Sequence, residues 1–272
     1  MIREPAVAGK FYPGEKRELQ SSLQQLLASA AEKPITKRKA IACMVPHAAY
    51  FYSGAVAAAV FSQLEIPQRV LILGPRHAPR GANLAINTTG SWKTPLGLAE
   101  IDSEFARSLV AAFPQLEEDA VAHRKEHSLE VELPFIQYLA PSARFVPIAL
   151  GTINFEILNA LGNAIASVIS KSHEPALIVA SSDMNHYESD AITREKDHLA
   201  IEKLLALDPR GLYDVVRRED ITMCGIGPAV TMLTAALALG AAKSELVRYA
   251  TSADVSNDRE VVVGYAGIIF GN

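Results

Sequence analysis

The chain is poor in the features that mark several large protein classes. Two cysteines, Cys43 and Cys224, are too few for a disulfide framework. Charge of one sign is not in excess: 26 Lys and Arg against 30 Asp and Glu leave −4 at pH 7, so the basic face that nucleic acid or an anionic membrane requires is missing. The amino terminus, MIREPAVAGKFYPG, lacks the apolar run of a signal peptide. Two long uncharged stretches, 40–64 and 221–242, do not suit a membrane. Pro46, His47, Ser53 and Gly54 interrupt the first, and the helical part of the second starts near Pro228 and covers roughly 20 Å of a ~30 Å hydrocarbon core. No repeat of fixed period and no low-complexity segment is present. These absences lead to the expectation of a reduced, cytoplasmic protein that binds neither membrane nor nucleic acid.

What the chain does have is apolar residues in short runs. With 49% hydrophobic residues among 272 and no linker, residues 1–272 read as one domain with a large core. Runs at 40–45, 70–73, 144–150 and 176–180 are apolar without alternation, as strands buried on both faces are. Helical spacing occupies 15–31, 103–113 and 155–170, a charged helical pair 189–217, and an Ala/Leu-rich helix begins near Pro228. Ser53 is a candidate cap for a helix over 54–64, and Asp102 or Ser103 for the one after them. Residues 245–250 and 260–270 read as strands. This alternation predicts an α/β fold: a layered, mixed, largely parallel sheet flanked by helices. Residues 1–14 are too aromatic for a loose tail and read as a strap, 33–39 as a solvated connection, and 80–102 as a lid or sheet edge containing the only tryptophan, Trp92.

His47, His77 and His186 each follow an apolar strand by a few residues. If those strands are parallel in one sheet, the three imidazoles share the rim where α/β sheets keep their ligands. Imidazole is a common metal ligand and an acid or base near neutral pH. Cys224 precedes a helix start, where a thiolate is stabilised, and a thiolate beside imidazoles suits Fe(II), Cu or Zn rather than Mg or Ca. Asp183, three residues before His186, can orient an imidazole or cap a helix. His123-Arg-Lys-Glu-His127 spells H-x-x-E-H, but Ser128 as a helix cap and Pro134 beyond it place the motif in a turn, which argues against a zinc peptidase. His127, Glu126 and Glu130 then project into the rim pocket, where His127 joins His186 and Asp183 as a candidate catalytic group. Ser181, Ser182, Asp183 and His186 lack the G-x-S-x-G elbow of a serine hydrolase.

The ordered motifs Arg3-x-Pro5-x-x-Ala8-Gly9-x-Phe11-Tyr12-Pro13, Pro46-His47-Ala-Ala-Tyr50, Gly74-Pro75-Arg-His77, Thr94-Pro95-Leu96-Gly97, Glu126-His127-Ser128-Leu129-Glu130, Ser181-Ser182-Asp183-x-x-His186-Tyr187, Cys224-Gly225 and Gly264-Tyr265-Ala266 run almost end to end. In this the chain resembles the Memo family, whose prokaryotic members are called AmmeMemoRadiSam system protein B. Ala49 stands where that family usually has glycine, and Arg76 where a smaller polar residue is common. The resemblance implies a fold related to class III extradiol dioxygenases. It implies His47, His77 and Cys224 as metal ligands, for Fe(II) first and Cu or Zn second, and His186 as the acid/base. It also implies a small-molecule or peptide ligand in the pocket, and a radical SAM protein and an AMMECR1-domain protein as partners. Two functions compete on this basis: metal-dependent redox chemistry, and a non-catalytic module that recognises a peptide or protein through the same pocket.

Overall fold

A computed structural model describes residues 1–30, 37–172 and 174–272. Most of the expected connection at 33–39 therefore lies outside the described residues. The four unalternating apolar runs form Ala42–Val45, Arg69–Pro75, Arg144–Leu150 and Ala176–Ser181. They are parallel neighbours in the order Ala42–Val45, Ala176–Ser181, Arg69–Pro75, Arg144–Leu150. Packing on both faces is what makes them apolar throughout. Leu71, Leu73, Ile178 and Ala180 belong to one core, with Leu158 and Leu161 of helix Phe155–Lys171 and Ala229 and Val230 of helix Ile226–Ala238. Val70, Ile72, Leu177 and Val179, alternating with them, belong to the other, with Leu19 and Leu23 of helix Lys16–Ala30 and Ala57, Ala58 and Phe61 of helix Tyr50–Phe61.

Antiparallel strands extend both edges. Val262–Gly271 joins Ala42–Val45 and carries Lys243–Thr251 and His186–Glu188, while Leu84–Ile86 joins Arg144–Leu150 and pairs in parallel with Glu117–Glu118. The sheet is thus mixed at its edges and parallel at its centre, as expected. The charged segment forms two helices, Asp190–Leu205 and Pro209–Arg218. Asp102 caps helix Ser103–Ala112 by accepting from Phe105 N at 3.2 Å. Among the described residues no helix is long and apolar enough to cross a membrane.

One helix start departs from the reading. Helix Tyr50–Phe61 begins four residues before Gly54, with Ala49 as its cap residue and no side-chain cap bond. Ser53 lies inside it and donates to Ala48 O at 2.9 Å. Ala49 has φ −57° and ψ 143°, ordinary extended backbone, so alanine there carries no conformational cost.

The strap is pinned rather than draped. Ile2–Arg3 pairs in parallel with Ser91–Thr94, which pairs antiparallel with Gly97–Glu100. The Arg3 guanidinium lies 4.1 Å from the Trp92 ring centre and pairs with Glu130 at 2.5 Å. Trp92 is therefore buried under the strap, and of the two expectations for 80–102 the sheet edge holds: the segment supplies edge strand Leu84–Ile86 and the small sheet that carries the strap.

Candidate metal centre

His47 and His77 each stand two residues past a parallel strand, and those two strands flank Ala176–Ser181. The sheet rim therefore brings the imidazoles to either side of Ser181 and Asp183, with ring centres 5.3 Å apart. Cys224 arrives from the turn before helix Ile226–Ala238. Gly225 permits that approach, because a Cβ there would lie 2.3 Å from the Ser182 Cβ. Cys224 Sγ ends 3.4 Å from His47 Nε2, and the ligand atoms of His47, His77 and Cys224 all lie within 4.8 Å of one another. Bonds of about 2.0–2.3 Å from one ion place such ligands roughly 3.5 Å apart, so the donor set fits a transition metal.

Neighbouring groups aim the rings. His77 Nδ1 donates to Glu126 Oε1 at 2.9 Å and His186 Nδ1 to Thr222 O at 2.9 Å. A carboxylate and a carbonyl can only accept, so on both rings Nδ1 carries hydrogen, which leaves Nε2 as the nitrogen that can ligate a metal or exchange a proton. Burial, then the charges of His127 and His77, holds His47 well below the usual imidazole range, in the neutral form that ligates. Burial and the Asp183 charge push the Cys224 thiol up, so without a cation it keeps its proton, and ligation would release it.

A second cluster, His77, Glu126 and His127, also has its ligand atoms within 4.8 Å. Glu126, however, is fully buried and already accepts from His77 N at 2.5 Å, His77 Nδ1 and Ser128 N at 3.0 Å. Burial opposes its ionisation, but these bonds outweigh it and hold the carboxyl down to about 2. Glu126 is thus an orienting group for His77. His127 stacks on His77 with centres 4.5 Å apart and meets the Phe11 edge at 5.0 Å, lining the pocket.

The expectations for Asp183 and Glu130 need correction. Asp183 does not hold the His186 ring; Thr222 does. Asp183 Oδ1 instead accepts from His47 N at 2.8 Å and Ala48 N at 3.3 Å, fixing the His47 turn, while its own N–H points to Cys224 Sγ at 3.3 Å. Glu130 does not reach the rim, because the strap consumes it. His123 closes the short helix Ala120–His123 and is buried with its ring 5.6 Å from Trp92, so the two histidines of H-x-x-E-H share no helix face. Arg76 turns from the pocket toward Ala78 O and Asn83 Oδ1. Ser182 Oγ is engaged with Asp183 O at 2.7 Å, and Ser181 Oγ with Ser128 O at 2.7 Å, so neither is poised as a nucleophile. Two elements escaped sequence reading: Thr222 behind His186, and Glu132 behind Ser181. Only tertiary packing brings them there.

A family model described as Memo-like protein matches residues 3–269. The chain belongs to the Memo-like protein family. It is similar to a MEMO1 family protein of Methanopyrus kandleri, 41% identical over 283 residues and 99% of each chain. It is also similar to one of Aquifex aeolicus, 41% identical over 270 residues and 99% of each. One of Sulfurisphaera tokodaii is 42% identical over 285 residues, covering 100% of both. Among solved structures, an uncharacterized protein of Escherichia coli K12 shares the fold with a TM-score of 0.52 at 12% identity, over 82% of this chain and 98% of that one. Memo family membership thus rests on near full-length sequence similarity, and the α/β fold is shared with a solved structure over 82% of the chain.

Proposed function

We propose that this Memo family protein holds one redox-active transition metal through His47 Nε2, His77 Nε2 and Cys224 Sγ, and that metal-dependent redox chemistry on a small substrate is its function. The observation that carries this is the convergence of two pre-oriented imidazoles and a thiol within 4.8 Å at the sheet rim. Two nitrogens and a soft sulfur favour Fe(II), Cu or Zn over Mg or Ca, and the resemblance to nonheme iron dioxygenases puts Fe(II) first. When bound, Fe or Cu supplies a Lewis acid and a redox couple, whereas Zn supplies the Lewis acid alone. His186, held by Thr222 with Nε2 free, is the group that takes up or returns a proton, and His127 with Phe11 bounds the space for substrate. Purification without oxygen, metal analysis and a Cys224→Ala variant test the assignment. One equivalent of metal in the parent and loss in the variant are expected; equal metal in both removes Cys224 from the set.

A recognition module is favoured by one observation. Phe51 and Tyr52, at the start of helix Tyr50–Phe61, are 69% and 38% exposed and contact each other edge to face at 5.0 Å. The neighbouring aromatics Tyr12, Tyr50 and Trp92 are buried, which leaves Phe11, Phe51 and Tyr52 for a ligand to meet. A peptide, or the radical SAM and AMMECR1-domain partners, would dock on that face. Titration of peptide onto metal-free protein decides: binding that survives metal removal supports this reading over the first.

A further inference from the structure

Below His47 lies a buried junction whose protons can be assigned by counting. Ser181 Oγ contacts His47 Nδ1 at 2.8 Å, Ser128 O at 2.7 Å and Glu132 Oε1 at 3.1 Å. A hydroxyl offers one hydrogen and two lone pairs. The Ser128 carbonyl only accepts, so the hydroxyl hydrogen goes there. The remaining two groups must then donate, which places hydrogen on His47 Nδ1 and on the Glu132 carboxyl. With Glu132 ionised, the single hydroxyl hydrogen would serve one oxygen and leave the other facing a lone pair.

The surroundings of Glu132 agree. It is fully buried, forms no ion pair among the described residues, and its Oε2 has no hydrogen-bond partner. Tyr50, buried beside it, cannot help, since its hydroxyl donates to Val131 O at 2.8 Å. An ionised carboxylate with a bare oxygen in such a place is strongly disfavoured.

We infer that Glu132 is a neutral carboxylic acid, which leaves the Ser181 hydroxyl hydrogen to Ser128 O, and that Ser181 thereby accepts from His47 and fixes it with its proton on Nδ1 and its Nε2 lone pair turned toward Cys224. Burial pushes the Glu132 carboxyl up, in the same direction. Ser181 is the positioning residue, one hydrogen bond from His47, and Glu132 supports it from the other side. Its benefit to metal binding rests on the function proposed above, whereas the tautomer does not.

The test uses metal-free full-length protein. Long-range proton–nitrogen NMR distinguishes the two ring nitrogens of His47, and infrared difference spectra between the parent and Glu132→Gln report a protonated carboxyl. The expected results are hydrogen on His47 Nδ1 in the parent and in Glu132→Gln, whose amide N–H replaces the carboxyl donor, and a protonated-carboxyl band at neutral pH that disappears in the variant. Ser181→Ala removes the acceptor of the His47 Nδ1 hydrogen and gives a mixed tautomer. Its affinity for added Zn falls about 10–100-fold, as for other supporting residues, while Glu132→Gln stays within a few-fold. Hydrogen on Nε2 in the parent, or no protonated-carboxyl band, overturns the inference, and this readout holds even if Ser181→Ala fails to fold. Absence of metal binding with the expected tautomer counts against the metal function alone.

Discussion

Glu130 and Glu132 lie two residues apart on one loop, and both are fully buried. Glu130 receives four donors: Arg3 at 2.5 Å, Ala6 N at 2.8 Å, Val7 N at 3.1 Å and the Tyr12 hydroxyl at 2.7 Å. Glu132 has Ser181 for one oxygen and nothing for the other. Equal burial thus gives opposite outcomes, because the number and charge of partners decide which protonation state a buried carboxyl can bear. Glu130 spends its charge anchoring the strap. Glu132 keeps a proton and spends it beneath the rim.

The sharpest way to break this comparison is the same substitution at both positions. Glu130→Gln strands the Arg3 guanidinium, only 9% exposed, and is expected to cost about 3–5 kcal/mol in urea denaturation. Glu132→Gln replaces one neutral donor by another and should stay within about 1 kcal/mol of the parent. Equal losses would show that charge does not separate the two sites.

Acid titration sharpens the contrast through Glu126, whose folded value of about 2 lies below its ordinary 4.5. A depressed carboxyl contributes stability that is complete above 4.5 and lost as the pH falls toward 2, here at most about 3 kcal/mol. In metal-free Glu126→Gln that part of the acid slope should vanish. Glu132 has the opposite sign: its raised carboxyl favours the fold at low pH and withdraws that contribution as pH rises through its folded value. The Glu132→Gln variant should therefore lose less stability than the parent toward alkaline pH. The smallest expected effect is that of Cys224→Ala on metal-free stability, about 1 kcal/mol or less by thermal unfolding.

Much of this molecule was legible because its central strands are buried on both faces. Their unbroken apolar runs then mark both the strands and the strand ends that carry His47 and His77. The start of helix Tyr50–Phe61 was not legible, because Ala49 caps it without a side-chain bond and leaves no letter to read. Cys224 as a ligand required the family resemblance, since a cysteine before a helix has several uses. The links between Asp183 and His47, and between Ser181 and Glu132, join residues 136 and 49 positions apart, and no local pattern encodes them. H-x-x-E-H shows the converse: its letters are all present, but the chain turns between His123 and His127, and Glu126 serves His77 instead.

X-ray absorption at the edge of an ion loaded without oxygen tests the metal centre most directly. The expected shell holds one sulfur and two imidazole nitrogens, with the sulfur lost in Cys224→Ala. A shell without sulfur in the parent, or one that Cys224→Ala leaves unchanged, would contradict the centre described here.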